Sequence, residues 1–161
     1  MTDHNSSGSG TKRLIDKLSY NQISLISIAL YIPALLLPTP FDIDGQPSGF
    51  YPYGWFLLLL GWLGLFSCLG AWLANPLIIY AWAANRGGRH KQAFRCGLAA
   101  TLFTLIFLFV QKIEVNEAGH MGWITGYNAG YWFWLASCGT FTLLQGLKHV
   151  RETQLTTEIG S

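Results

Sequence analysis

From Gly54 to Asn85 the chain carries no lysine, arginine, aspartate, glutamate or histidine. So long an uncharged run narrows the folds open to a chain, because its side chains must leave water while every backbone amide still finds a partner. A helix meets both demands. At 1.5 Å per residue the run would extend roughly 48 Å, enough to cross a hydrocarbon core of about 30 Å with some tilt. Trp55 and Trp82, about 40 Å apart along such a helix, are spaced as interfacial anchors, and Pro76 would bend it. Gly61, Gly64, Cys68, Ala71 and Asn75 recur along it at steps of three and four residues. That spacing makes a seam of small side chains against which a second helix packs closely.

Composition points the same way: 51% of residues are hydrophobic and 11% charged, against about 25% charged in soluble domains. The fold class expected is all-α, a polytopic membrane protein built as a four-transmembrane-helix bundle. Spans are expected at about 19–37, 54–85, 94–111 and 127–147 within a domain covering 11–150. Residues 1–10 are polar and rich in Ser and Gly, so they are expected to be disordered, and 151–161 form a polar, loose tail. On the third span Gly97 and Thr101 give another face of small side chains. Pro33 lies within the first span, and Pro38, Pro40, Gly45, Pro47, Gly49 and Pro52 mark the stretch after it as a loop.

Of the ten lysines and arginines, Lys112 alone falls in the connections 39–53 and 112–126. That asymmetry predicts both termini in the cytoplasm and those two connections outside. The net charge of +2 is too small to argue for a nucleic-acid partner.

A second pattern runs from Gly122 to Trp134. Gly122, Gly126 and Gly130 recur every four residues, each followed by an aromatic: Trp123, Tyr127 and Tyr131. In a helix that step aligns the glycines into a docking strip. The charge-derived topology places Gly122 outside, however, so the first half of the repeat is expected to be a collar above the span. Tyr127, Tyr131, Trp132 and Trp134 then serve as interfacial anchors.

Little in the chain suggests catalysis. No HExxH, GxSxG or phosphate-binding glycine loop is present, and no charged group falls in the middle of an expected span. Cys68, Cys96 and Cys138 lie in apolar runs without a nearby histidine, the setting of inert thiols. Asp42 and Asp44 precede Gly45 in a sequence faintly like a calcium loop, but the glycine comes too early and the closing glutamate is missing. Asp42, Asp44, Glu114, Glu117 and His120 would form an acid-base or metal site only if the two outer loops met, and the simpler expectation is solvated side chains. His90, in the basic turn after Asn85, is likewise expected to be solvated. No cofactor or metal is expected.

The segments Trp72-Leu-Ala-Asn-Pro-Leu77 and Gly126-Tyr-Asn-Ala-Gly-Tyr-Trp-Phe-Trp-Leu-Ala-Ser137 resemble motifs of small uncharacterised bacterial membrane proteins. The resemblance implies a four-helix bundle in the inner membrane and brings no catalytic residues. The function expected is therefore non-enzymatic: an accessory, assembly or self-associating subunit working through helix-helix contacts. Its partners would be the lipid bilayer and either another membrane protein or further copies of itself. The alternative is an oligomeric pore or facilitator for a small solute, lined by Ser67, Asn75, Thr101 and Thr104.

Overall fold

The computed structural model of the protein describes residues 18–38, 40–45, 53–64, 70–114 and 120–159. In chain order these form α1 (Tyr20–Leu36), β1 (Phe41–Ile43), α2 (Gly54–Leu60), 3-10 turns at Gly61–Gly64 and Ala71–Leu73, α3 (Ala74–Arg86), α4 (His90–Phe107), β2 (Lys112–Glu114), β3 (Met121–Tyr127) and α5 (Ala129–Ile159).

Local chemistry sets the ends of these elements. Ser19 and Gln22 form a capping box that opens α1: the Gln22 backbone N–H donates to the Ser19 hydroxyl at 3.2 Å and the Ser19 N–H to the Gln22 side-chain carbonyl at 2.7 Å. Leu37 leaves the helix in an extended conformation ahead of Pro38, which disfavours helical geometry in the residue before it. Pro76 does not bend a long helix. It is the third residue of α3, where the first-turn amide has no partner to lose, so it starts the helix. At the other end Gly88 takes a positive φ of 73° while the Arg89 N–H donates to the Ala84 carbonyl and the Gly88 N–H to the Asn85 carbonyl. This is a Schellman closure, and it returns the chain directly into α4.

α5 packs along α1 and α4, and α3 packs along α4. Their core holds Ile23, Ile78, Cys138 and Phe141, joined by Ala74, Ala81, Ala84, Ala93 and Ala100. Each large side chain withdrawn from water contributes about 1.5–3 kcal/mol, and the alanines allow the helices close approach. A second cluster, of Phe41, Ile43, Phe107, Val110, Ile113 and Tyr131, lies beneath a three-stranded antiparallel sheet of order β1-β3-β2. Phe41 pairs with Tyr127, Asp42 with Gly126 and Ile43 with Ile124; the skipped Thr125 is an extra residue in β3.

The structure corrects the expected fold class. The chain is mostly helical but not all-α, and among the described residues no helix is long and apolar enough to cross a membrane. The transmembrane four-helix bundle, the multi-pass inner-membrane placement and the cytoplasmic assignment of both termini fall with that finding. The reasons are physical. α1 has 17 residues, about 26 Å, and α3 has 13, about 20 Å, both short of a core of about 30 Å. α4 has 18 residues but opens on His90, Lys91 and Arg95. α5 is long but runs through Gln145, Lys148, Arg151 and Glu152.

The uncharged run expected as one helix is broken into α2, two 3-10 turns and α3, with left-handed Gly70 opening the second turn. The expected collar is strand β3. The loose tail is instead helical as far as Ile159. Residues 1–10, Ser67, Cys68 and Glu117 lie outside the described residues.

Candidate functional site

The two resemblance motifs meet around one cavity. Trp72 and Asn75 come from the turn and first residues of α3, Tyr131 and Trp134 from α5, and Tyr31 and Ala34 from α1; α2 and Phe107 close the remaining walls around a volume of about 110 Å³. No lysine, arginine, aspartate, glutamate or histidine lines it.

Each wall is held by a specific contact. The Tyr31 hydroxyl donates to the Asn75 side-chain carbonyl at 2.8 Å, and the Trp82 ring meets the Tyr31 ring edge-on with centroids 5.3 Å apart. Burial pushes the Tyr31 phenol well above its usual range, so it remains a neutral donor. The Trp72 indole N–H donates to the Leu58 carbonyl at 2.9 Å, tying the 3-10 turn ahead of α3 to α2. Tyr131, 1% exposed, donates its hydroxyl to the Thr104 carbonyl at 2.8 Å. Phe107 sits among Phe41, Tyr127, Tyr131 and Trp134 at centroid distances of 5.3–6.4 Å.

Two glycines permit this closeness. A Cβ on Gly54 would fall 1.9 Å from the Ala34 carbonyl oxygen, and one on Gly61 would fall 2.6 Å from the Trp72 ring. Two polar groups beside the cavity stay unpaired among the described residues. One is the Trp134 indole N–H, which is buried. The other is the Asn75 amide nitrogen, on a side chain only 8% exposed.

Of the expected seam, Ala71 and Asn75 line the cavity with Gly61, while Gly64 ends a 3-10 turn; the continuous helix that would have aligned them does not form. Gly97 and Thr101 lie on α4 against α5, Gly97 under Phe141 and Thr101 bonded to the Thr142 hydroxyl at 3.0 Å. Gly122 and Gly126 lie in β3, and Gly130 is in the first turn of α5. Among the expected anchors, Trp55 and Trp132 are exposed. Tyr131 and Trp82 turn inward, and the Trp82 indole N–H donates to the Ser27 hydroxyl at 3.0 Å. Tyr127 and Trp134 are half-buried in the Phe107 cluster. Asp42 accepts from the Asn128 side chain at 3.1 Å, and among the described residues no group of three or more His, Cys, Asp or Glu side chains is placed to hold a metal.

A polar centre at the opposite end of the helices is not anticipated by the sequence patterns above. Asn85, 2% exposed, donates through its amide to the Tyr20 carbonyl at 2.6 Å and the Ser24 hydroxyl at 2.8 Å. Its carbonyl accepts from Gln145 at 3.0 Å and from His90 Nδ1 at 2.9 Å. His90 stacks on Tyr20 with centroids 3.5 Å apart, so it is not the solvated turn residue expected. Gln145, a lone amide within the apolar run Phe133–Leu147, is the one sequence signal for this centre.

No protein-family model, curated protein or solved structure matches the chain.

Proposed function

We propose that the protein is a non-enzymatic accessory or assembly subunit that works through helix contacts, either with further copies of itself or with another protein. The observation that carries this reading is the apolar outer surface: Leu25 and Leu36 on α1, Leu102 on α4 and Leu143 on α5 are 51–67% exposed, and Phe109 is 79% exposed. Large apolar side chains left in water in this number mark a surface that meets a partner. The interior polar groups favour the same reading, because Ser27, Asn85, Thr104 and Ser137 are spent on other interior side chains or on backbone carbonyls. Thr101 and Thr104, the expected pore-lining residues, are likewise engaged, so no observation favours that alternative.

The test is the size of the purified particle, kept in mild detergent because of its apolar surface, together with crosslinking in cells. A defined oligomer or a reproducible crosslinked partner is expected. A monomer that crosslinks to nothing overturns the reading.

A further inference from the structure

We propose that the cavity between α1, α3 and α5 is a binding site for a small neutral molecule pairing an aromatic or conjugated body with one carbonyl group, which accepts a hydrogen bond from the Asn75 amide.

The size of the ligand follows from the volume. At about 110 Å³ the cavity is of the order of the apolar cavities, about 150 Å³, that take up benzene. Its charge follows from the lining. With no lysine, arginine, histidine, aspartate or glutamate among those side chains, a charged ligand would be desolvated without a counter-ion, which is strongly unfavourable. Its shape follows from Trp72, Phe107 and Trp134, whose rings favour a flat partner in stacked or edge-on contact.

Of the two unpaired donors the Trp134 indole N–H is fully buried, so the polar requirement on a ligand comes from Asn75. The Tyr31 hydroxyl occupies the Asn75 carbonyl at 2.8 Å and fixes the amide orientation, leaving the amide nitrogen as a donor. The side chain is 8% exposed, its nitrogen has no partner among the described residues, and it lines the cavity. A ligand that covers this donor without accepting from it leaves it unpaired at a penalty, and a ligand carbonyl removes that penalty. A hydrocarbon of the same shape does not.

The experiment titrates 4-fluoroacetophenone, and as its hydrocarbon counterpart 4-fluorocumene, into the full chain, with fluorine NMR as the readout. Saturable binding of both is expected, the ketone being about tenfold tighter, as one hydrogen bond predicts. Asn75→Leu, close in volume, should remove that preference while the hydrocarbon still binds. Ala71→Leu, which adds bulk at a buried wall position, should weaken both. The competition between ketone and hydrocarbon in the unmodified protein needs no variant, so it decides the matter even if a substitution unfolds the chain. Absence of saturable binding, equal affinity for the two probes, or a ketone preference that survives in folded Asn75→Leu overturns the proposal.

Discussion

Ser27 on α1 and Ser137 on α5 exchange hydrogen bonds across the helix interface. The Ser27 hydroxyl donates to the Ser137 carbonyl at 2.9 Å, and the Ser137 hydroxyl donates to the Ser27 carbonyl at 2.8 Å. Both residues are fully buried, and the Ser27 oxygen also accepts from the Trp82 indole at 3.0 Å. Small side chains allow the two backbones to approach, and the reciprocal bonds fix the register of α1 on α5. The consequences of removing the two hydroxyls differ. Ser137→Ala removes one donor, whereas Ser27→Ala also orphans the Trp82 indole, so Ser27→Ala should be the more damaging. Each loss should lie within about 1–3 kcal/mol, with a coupling of about 0.5–2 kcal/mol in the double variant. Equilibrium denaturation of the four proteins in the cycle measures both quantities.

His90 predicts a pH dependence. Burial holds its imidazole below the usual value of 6.5; Glu152 opposes that shift and Lys148 adds to it. The neutral ring donates through Nδ1 to Asn85 and stacks on Tyr20. As pH falls through about 6.5, the unfolded chain takes up the proton before the folded one does. Stability should therefore decline from that point downward and level off below the folded-state value. Denaturation midpoints measured between pH 8 and pH 5 should show this slope, and His90→Gln should flatten it.

Two glycines in the helix pair α4–α5 should respond in opposite directions to the same substitution. A Cβ on Gly97 would lie 2.7 Å from the Phe141 ring and 3.0 Å from the Thr142 hydroxyl, so the neighbouring side chains already fill the space it needs. The overpacking cost of about 1–3 kcal/mol should exceed the gain in helix propensity of about 1 kcal/mol, so Gly97→Ala destabilises. A Cβ on Gly139 would meet no atom within 4 Å. Gly139→Ala should stabilise by about 0.5–1 kcal/mol. Thermal melts of the two variants against the parent decide both.

The cysteines offer a readout that needs no mutation. Cys138 is fully buried, and its thiol is pushed up to about 12 by burial. Cys96 is only half-buried. Since the thiolate is the reactive form, iodoacetamide at pH 8 should modify Cys96 while sparing Cys138, and both should react in denaturant. Peptide mass spectrometry reads the two sites separately. Rapid native modification of Cys138 would mean that α5 separates from the core.

What the sequence reveals and conceals can be followed through particular residues. Ser19 and Gln22, Gly87 and Gly88, and the prolines around residue 38 act within a few residues of themselves, so their effects can be read locally. Composition cannot divide the uncharged run from Gly54, because apolar content measures how much surface leaves water and not whether one helix carries it. The division comes from Gly70, whose left-handed backbone opens a new turn, and from Pro76, whose place in a first turn is seen only once α3 is defined. The repeat at Gly122, Gly126 and Gly130 is ambiguous for a sharper reason. A step of four residues keeps one face in a strand of period two and nearly keeps one in a helix, and the chain uses both, with strand through Tyr127 and helix from Ala129. Of the cavity, Ala71, Asn75, Tyr131 and Trp134 stand out in the sequence as unusual residues. Tyr31 does not, because its role depends on a partner in a different helix.

Gly54 offers the most direct test of how the cavity wall is closed. A methyl group placed on its Cα would sit 1.9 Å from the Ala34 carbonyl oxygen, an atom of α1's backbone that has no rotamer to change. Relief requires α2 to move away from α1, which also stretches the bond from the Gly54 N–H to the Leu37 carbonyl, already 3.3 Å. Gly54→Ala should therefore cost about 3 kcal/mol or more. Gly130 lines the same cavity, but its added methyl would make ordinary contacts of 3.6 Å with Ala34 and Pro40, so Gly130→Ala should change stability little. Hydrogen exchange locates the effect: amides of α2 should lose protection in Gly54→Ala and keep it in Gly130→Ala. Equal protection in both variants would show that α2 is not held against α1 by this contact.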